Sequence, residues 1–138
     1  MLRNEGAEIL VHCGDFTNPE VLVACTALPL YFVLGNCDTN SALELAAQRN
    51  DATCLGLGGE VDFAGKRVAV THGHMTKDLR RLLAAKPDYL LTGHSHIAAD
   101  WIEGSTRRIN PGALFRAANY SVAMLDLGTD DLQFIEIE

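Results

Sequence analysis

The hydrophobic residues of the chain occur in short runs, and each run ends in glycine and polar residues. In the first half these runs alternate with segments of helix-forming composition, which predicts strands separated by helices. Asn18 followed by Pro19 is a favoured start for a helix, and Ser41 stands near the start of the next one. The elements expected in this half are strands at residues 8–13 and 30–34 and helices at residues 19–27 and 41–49.

From Asp51 the apolar runs become shorter and are separated by glycine, a pattern typical of strands joined by turns. Gly65-Lys66 is the expected turn of a hairpin. One further helix is expected at residues 76–85, with Thr76 as its cap and Pro87 beyond its end. The strands expected in this half are residues 53–57, 60–63, 66–71, 88–92, 98–103, 107–109, 121–127 and 132–137.

Alternation of strands and helices followed by late strands predicts an α/β protein with mixed sheets. The sequence contains no repeat, low-complexity segment or linker, so we expect one domain over residues 1–138. Hydrophobic residues make up 48% and charged residues 21% of the chain, as in soluble globular proteins. The longest apolar runs are much shorter than a membrane span, and no export signal opens the chain. The expectation is a cytoplasmic protein without a membrane partner.

The net charge of −7 argues against a broad nucleic-acid-binding face. It does not exclude an anionic substrate, because bound metal ions can supply the largest local charges of a site. The four cysteines form no Cys-x-x-Cys pair, so a zinc knuckle is not indicated, and we expect free thiols that pack as small hydrophobic side chains. They are Cys13, Cys25, Cys37 and Cys54.

Four polar clusters follow the predicted strands, and each combines small residues with side chains that bind metals. All five histidines of the chain lie in these clusters or directly beside them. Open α/β sheets bind ligands at the carboxyl ends of their strands, and imidazole together with carboxylate and amide oxygens suits divalent metals. The sequence therefore predicts a metal site. The clusters are Gly14-Asp15, Gly35-Asn36-Cys37-Asp38, Thr71-His72-Gly73-His74 and Gly93-His94-Ser95-His96.

The residue types in the clusters are those that a two-metal hydrolytic centre requires. Two ions bridged by one carboxylate can clamp a phosphoryl group and supply a hydroxide. A His-x-His pair on an extended loop can serve both ions, since alternate side chains point in opposite directions. Glycine before each ligand lets the chain turn sharply and lets backbones approach each other closely.

The order of these clusters, followed by Asn110-Pro111-Gly112, resembles the small bacterial and archaeal phosphodiesterase branch of the calcineurin-like metallophosphoesterase superfamily. The resemblance runs from about Glu8 to the C-terminus. It implies a sandwich of two β-sheets flanked by helices, in four layers. It also implies hydrolysis of phosphodiesters, or of phosphomonoesters, through a binuclear centre of two divalent metal ions. Manganese is the expected metal, with nickel, iron, zinc and magnesium as alternatives, and the expected partner is a phosphate-ester substrate.

Matched residue by residue, the resemblance assigns the metal ligands. Asp15 corresponds to the carboxylate that bridges the two metals. Asn36, His72 and His94 correspond to the remaining ligands of the second metal. His96 corresponds to a ligand of the first metal.

The same resemblance implies roles for the residues around these ligands. Asp38 is expected to support the ligands without touching a metal, and His74 to face the substrate phosphate or a metal-bound water. Many relatives have histidine in place of Cys37 and use it as the proton donor, so the general acid is unassigned here. His12 lies within a predicted strand and is expected to be structural, and Asn110-Pro111-Gly112 is expected to brace the second histidine loop. The catalytic residues expected are Asp15, Asn36, His72, His74 and His94.

The superfamily's first motif, Asp-x-His at the end of its first strand, does not occur before Gly14-Asp15. Residues 1–6 resemble instead the tail of the helix that follows that motif, with Gly6 at its end. Two consequences are expected. The first metal keeps only Asp15 and His96 as ligands. The sheet also lacks its first strand, which leaves backbone groups of the neighbouring strand without hydrogen-bond partners.

Three explanations are open for the missing motif. The start of the chain is assigned too late, and the natural protein carries the missing segment. Alternatively, the chain is truncated, and a partner chain or a swapped element fills the gap. In the third, the chain is a divergent, catalytically impaired relative that acts as a metal- or phosphate-binding interaction module. An exposed strand edge would also favour self-association.

Overall fold

The computed structural model describes residues 6–16, 19–35, 40–114 and 117–137. This part of the chain is a mixed α/β protein with ten strands, in three sheets, and three helices. The helices are α1 (Pro19–Ala24), α2 (Asn40–Arg49) and α3 (Thr76–Ala84). The strands are β1 (Leu10–His12), β2 (Leu30–Phe32), β3 (Thr53–Cys54), β4 (Gly58–Phe63), β5 (Lys66–Thr71), β6 (Tyr89–Leu91), β7 (Ala99–Glu103), β8 (Thr106–Asn110), β9 (Tyr120–Asp126) and β10 (Asp131–Ile137).

The first sheet consists of β1, β2 and β3 in that order, and its strands are parallel. Its core forms because apolar side chains of β2, α1 and α2 are buried together, among them Leu22, Phe32 and Leu43. Phe16 belongs to the same cluster, and its ring lies edge-on to that of Phe32 with 5.2 Å between the centroids. The parallel arrangement brings the carboxyl ends of the strands to one edge, where Asp15 follows β1.

The second sheet has the strand order β4-β5-β6-β8-β7. Its central strands β5, β6 and β8 are parallel, and the outer strands β4 and β7 are antiparallel to their neighbours. The central strands are rich in buried apolar residues, such as Val68, Val70 and Leu90, as expected for parallel strands covered on both faces. Leu82 of α3 packs against this sheet. The carboxyl ends of β5, β6 and β8 therefore open at one common edge.

Strands β9 and β10 form a separate antiparallel hairpin. Leu125, Leu127 and Leu132 of this hairpin pack against the core of the second sheet around Val68 and Ile109. The hairpin is therefore attached to the second sheet by side-chain packing, without a shared strand ladder among the described residues.

Arg107 in β8 links this hairpin to the second sheet. Its guanidinium donates two hydrogen bonds of 2.9 Å to the carboxylate of Asp100 in β7 and lies 2.9 Å from Oδ1 of Asp130 in the hairpin turn. Tyr89 in β6 donates its hydroxyl hydrogen to the same oxygen of Asp130. Hydrogen bonding from Arg107 holds the pKa of Asp100 below its usual range, and hydrogen bonds from Tyr89 and Arg107 do the same for Asp130.

The predicted fold class is confirmed, and the predicted helices and strands are present with ends that differ by a few residues. Two local predictions were wrong. Thr76 is the first residue of α3 rather than its cap, and Met75 at the capping position makes no side-chain capping bond. The hairpin turn is Ala64-Gly65 rather than Gly65-Lys66, since Lys66 already belongs to β5. In this turn the carboxylate of Asp62 accepts a hydrogen bond of 2.9 Å from the Gly65 N–H.

Other expectations stay predictions. They include the four-layer arrangement, the missing first strand and the single domain. The Asn18 cap and the helix tail at residues 1–5 lie outside the described residues, although Gly6 has a left-handed φ of 92°, as a residue that ends a helix often does. None of the helices in the described part of the chain is long and apolar enough to cross a bilayer.

We predict that Arg107→Lys lowers the urea midpoint of unfolding at pH 7, because lysine cannot replace the two-pronged bond to Asp100. Since the pKa values of Asp100 and Asp130 are depressed in the folded state, their stabilisation is present above their unfolded pKa of about 4 and is lost as pH falls through the lower folded values. The difference between wild type and variant should therefore shrink below about pH 4. Arg80→Lys, at an exposed position of α3, is the control and should change little. An equal loss in both variants, or a pH-independent difference, would contradict the prediction.

Candidate metal centre

Three predicted ligands lie close together at the carboxyl ends of strands from the first and second sheets. Asp15 follows β1 of the first sheet, His72 follows β5 directly, and His94 follows β6. One ligand atom from each of the three lies within 4.8 Å of the others. His72 is buried, the side chain of Asp15 is 19% exposed, and His94 is exposed, so the cluster has a closed side and an open side.

The protonation of His72 is fixed by its surroundings. Its Nδ1 lies 2.8 Å from the carbonyl oxygen of Cys13. A carbonyl oxygen only accepts hydrogen bonds, so Nδ1 carries the ring proton. Burial lowers the pKa of His72 more than any other influence, which favours the neutral ring at neutral pH. The other nitrogen, Nε2, is therefore a bare acceptor.

This bare nitrogen faces two further ligand groups. Nε2 of His72 lies 3.1 Å from Oδ2 of Asp15 and 3.2 Å from Nδ1 of His94. A proton on Nδ1 of His94 can satisfy Nε2 on that side, but the carboxylate of Asp15 is an acceptor as well. Two acceptors therefore face each other at close range, and a cation between them would convert this repulsion into attraction.

The distances fit a divalent ion. Ligand atoms about 2.0–2.1 Å from one ion are about 2.9–3.4 Å apart when the angle between them is between square and tetrahedral. Both separations at Nε2 of His72 fall in that range. Neutral imidazole and carboxylate are common ligands for zinc, manganese, iron and nickel. The fixed Nδ1–H of His72 also orients its ring, as hydrogen bonds to carbonyls do for histidine ligands in metal sites.

Two glycines allow the ligands His72 and Asp15 to lie close to the neighbouring backbone. Gly14 has φ of 106°, and a Cβ there would lie 2.6 Å from Nδ1 of His72. A Cβ on Gly35 would collide with the carboxylate and backbone of Asp15. The ligands Asp15 and His94 themselves have φ of 62° and 65°, in the left-handed region that non-glycine residues rarely occupy. Strained backbone of this kind concentrates at functional sites.

The loop that carries His94 is braced by Asn110, which is buried at the end of β8. Its amide donates hydrogen bonds of 2.9 Å to the carbonyl of Gly93 and 3.0 Å to Oγ of Ser95. Its own oxygen accepts a bond of 3.0 Å from the N–H of Gly112, which closes the turn. These contacts agree with the bracing role expected for Asn110-Pro111-Gly112.

Other expected site residues lie at different distances from the cluster. The ring of His74 is centred 5.2 Å from that of His72 and 6.1 Å from that of His94, and its buried Nδ1 has no hydrogen-bond partner among the described residues. His96 lies on the same loop as His94 but is not one of the three clustered ligands in the described part of the chain. His12 accepts a bond of 3.1 Å from the Gly14 N–H and stacks on Phe16, as a structural residue would.

Asn36, Cys37 and Asp38 lie outside the described residues, so their assignments stay predictions.

Three of the four cysteines are described, and they are free thiols. Burial raises the pKa of Cys13 to about 12. The role of its carbonyl in holding His72 was missed from the sequence, although its position beside Gly14-Asp15 was a usable signal.

Comparison with known proteins gives the family. Over residues 1–130 the sequence matches the model of the calcineurin-like phosphoesterase superfamily domain. The chain belongs to this superfamily. The resemblance predicted from the sequence is thereby confirmed. No curated protein sequence matches the chain significantly.

Solved structures show the calcineurin-like phosphoesterase fold at low sequence identity. An archaeal phosphodiesterase is similar with a TM-score of 0.86 and 22% identity over 99% of this chain and 87% of that chain. Yfce, a phosphoesterase from E. coli, has a TM-score of 0.62 at 20% identity over 99% and 88% of the two chains. Wild-type Vps29 in complex with zinc, from Entamoeba histolytica, has a TM-score of 0.54 at 15% identity over 94% and 97%. These likenesses establish the fold.

We predict that Gly14→Ala destabilises this phosphoesterase domain more than Gly104→Ala. Both glycines have positive φ, so alanine costs about 1–2 kcal/mol of backbone strain at either position. Only at Gly14 does the new methyl group also collide with His72, since nothing lies within 4 Å of a Cβ at Gly104. Urea unfolding should show the larger loss for Gly14→Ala. NMR of the ring nitrogens should show His72 displaced in that variant alone, and equal losses with an unchanged His72 would contradict the geometry.

Proposed function

We propose that the chain is a metal-dependent phosphoesterase that hydrolyses phosphodiester bonds at a centre of two divalent ions. The observation that supports this most is the unprotonated Nε2 of His72, which lies 3.1 Å from Oδ2 of Asp15. These two acceptors repel each other unless a cation lies between them. The membership in the calcineurin-like phosphoesterase superfamily supports the reaction class.

In this proposal Asp15, His72 and His94 would hold the second metal together with Asn36. Asp15 and His96 would hold the first metal. When bound, divalent ions supply positive charge that polarises the phosphoryl group and offsets the charge that develops during hydrolysis. That charge matters here because the chain itself carries −7 and the substrate is an anion.

The protein side chains then have separate tasks. The Cys13 carbonyl keeps the proton of His72 on Nδ1, which leaves Nε2 for coordination. Asn110 fixes the loop of His94. His74 faces the substrate phosphate, since its ring is centred 5.2 Å from that of His72, beside the cluster.

The names of similar structures support the same class of reaction. One is an archaeal phosphodiesterase and another a phosphoesterase from E. coli, while Vps29 from Entamoeba histolytica was solved with zinc. Manganese is the metal we propose, with nickel, iron, zinc or magnesium as substitutes, because mixed nitrogen and oxygen ligands accept several ions.

A second candidate is an impaired relative that binds a metal or phosphate without turnover. One observation favours it. Among the described residues, three metal-binding side chains come together, which is enough for one ion but not for two. Related folds include proteins named for vacuolar sorting, and one fold can carry several functions.

The direct test is hydrolysis of bis-p-nitrophenyl phosphate by the manganese-loaded protein. Asp15→Asn and His94→Ala should each lower the rate by at least about 100-fold, since both remove a group that touches a metal. Asp51→Asn is the control, because residue 51 is an exposed position with φ of 55°, a conformation that asparagine tolerates. This control should retain the wild-type rate.

Metal content separates the two candidates. Wild-type protein that hydrolyses the diester, with activity lost in both site variants, supports the enzyme. Wild-type protein that retains manganese by elemental analysis but hydrolyses neither the diester nor p-nitrophenyl phosphate supports the binding module. Diester hydrolysis that is unchanged in Asp15→Asn and His94→Ala would overturn the site assignment.

A further inference from the structure

The second sheet ends in β7, an outer strand that carries exposed apolar side chains. In the described part of the chain, β8 is the only strand that pairs with β7. The N–H and C=O groups on the other side of β7 therefore have no strand partner there. Trp101 is 39% exposed, and its neighbour Ile102 is 66% exposed. An outer strand with exposed apolar residues is a template for pairing with another strand.

The opposite outer strand of this sheet, β4, has no such surface. Its apolar residues Val61 and Phe63 are half-buried, and the Phe63 ring lies edge-on to that of Tyr31 with 5.0 Å between the centroids. The exposed side chains within β4 are the acids Glu60 and Asp62. The exposed apolar edge is therefore a property of β7 and not of outer strands in general.

The two exposed apolar residues of β7 lie on opposite faces of the sheet, since alternate side chains of a strand point in opposite directions. Trp101 pairs in register with Arg108 of β8, whose guanidinium carbon lies 4.6 Å from the centre of the indole ring. Ile102 pairs in register with Arg107. A strand added to β7 would therefore meet apolar surface on both faces.

The acidic residues of β7 are bonded to the arginines of β8. Arg107 donates two hydrogen bonds of 2.9 Å to the carboxylate of Asp100. Arg108 donates one hydrogen bond of 3.0 Å to Glu103. Negative and positive charges therefore balance along this edge, although the whole chain carries −7. A second copy can approach this edge with less repulsion than a face of unbalanced acidic residues would cause.

We infer that the chain forms a symmetric dimer through antiparallel pairing of β7 with β7 of a second copy. A twofold contact joins the same patch of both copies, so the strand must be complementary to itself. With Trp101 at the twofold axis, Asp100 lies opposite Ile102 of the other copy, and Ala99 lies opposite Glu103. All five residues of β7 then pair, and no two like charges are directly opposite each other.

Other registers of the same pairing fit less well. With Asp100 at the axis, the Asp100 carboxylates of the two copies would be directly opposite each other, which is destabilising. With Ile102 at the axis, only residues 101–103 of the strand would pair. The register centred on Trp101 is therefore the one that the sequence of β7 favours.

A peptide of another protein is a less suitable partner for this edge. Arg107 and Arg108 are already bonded to the acids of β7, so the edge offers no free charge that would select a peptide of either sign. Pairing of one short strand buries less surface than a standard protein–protein interface, which predicts a weak dimer that depends on concentration.

The wild-type protein can be tested without added metal, because the pairing depends on β7 alone. Trp101 is the only tryptophan of the chain, so its intrinsic fluorescence reports on β7 directly. Sedimentation velocity should show dimers as the protein is concentrated from micromolar to millimolar. The emission should shift to shorter wavelength over the same range, because pairing removes the indole ring from water.

Two substitutions at Ile102 test the register. Ile102→Asp adds a carboxylate opposite Asp100 of the other copy, whereas Ile102→Lys adds an ammonium group there. The Lys variant should therefore dimerise at least about tenfold more tightly than the Asp variant, and the difference should shrink at high salt. Because Ile102 is exposed, both variants should keep the wild-type circular dichroism spectrum.

The matched controls are Leu45→Asp and Leu45→Lys. They make the same changes in net charge at an exposed position of α2, away from β7. Both should dimerise like the wild type.

Each result decides the proposal. Wild-type dimers with shifted Trp101 emission support it, as does tighter dimerisation of Ile102→Lys than of Ile102→Asp. A wild type that stays monomeric at millimolar concentration would overturn it. Equal dimerisation of the two Ile102 variants would also overturn it, and so would dimers that leave the emission of Trp101 unchanged.

Discussion

The hydrogen bond between Nδ1 of His72 and the carbonyl of Cys13 connects the two larger sheets at the candidate site. Cys13 follows β1 of the first sheet, and His72 follows β5 of the second, 59 residues further along the chain. The bond fixes the ring and determines which of its nitrogens is free. Gly14 allows the close approach, because any side chain there would occupy the space of the ring. The position of Asp15 beside Nε2 depends on this contact.

The electrostatics of the site follow from that single bond. A neutral, buried ring presents a bare nitrogen to a carboxylate, and the contact becomes favourable only with a positive charge between them. A cation there also offsets part of the net charge of −7.

Local patterns were sufficient to predict most of the fold and to locate the ligand clusters. Apolar runs that end in glycine and polar residues predicted β1, β5 and β6, and histidine after β5 and β6 indicated the site. The left-handed backbone of Asp15 and His94 was not predictable, since neither residue type requires it. Nor was the His72–Cys13 bond predictable, since it joins residues that are distant in sequence. The helix start at Thr76 was wrong because a residue of capping type can equally well be the first residue of a helix.

The central claim is that His72 presents a bare Nε2 to Asp15, and ring-nitrogen NMR of the metal-free protein at neutral pH tests it directly. The account predicts a neutral His72 ring with its proton on Nδ1 and an unprotonated Nε2. Addition of zinc, chosen as a diamagnetic ion, should shift the Nε2 resonance and leave Nδ1 protonated. A His72 ring that carries protons on both nitrogens and ignores zinc would contradict the claim, because the contact with Asp15 would then be an ordinary ion pair.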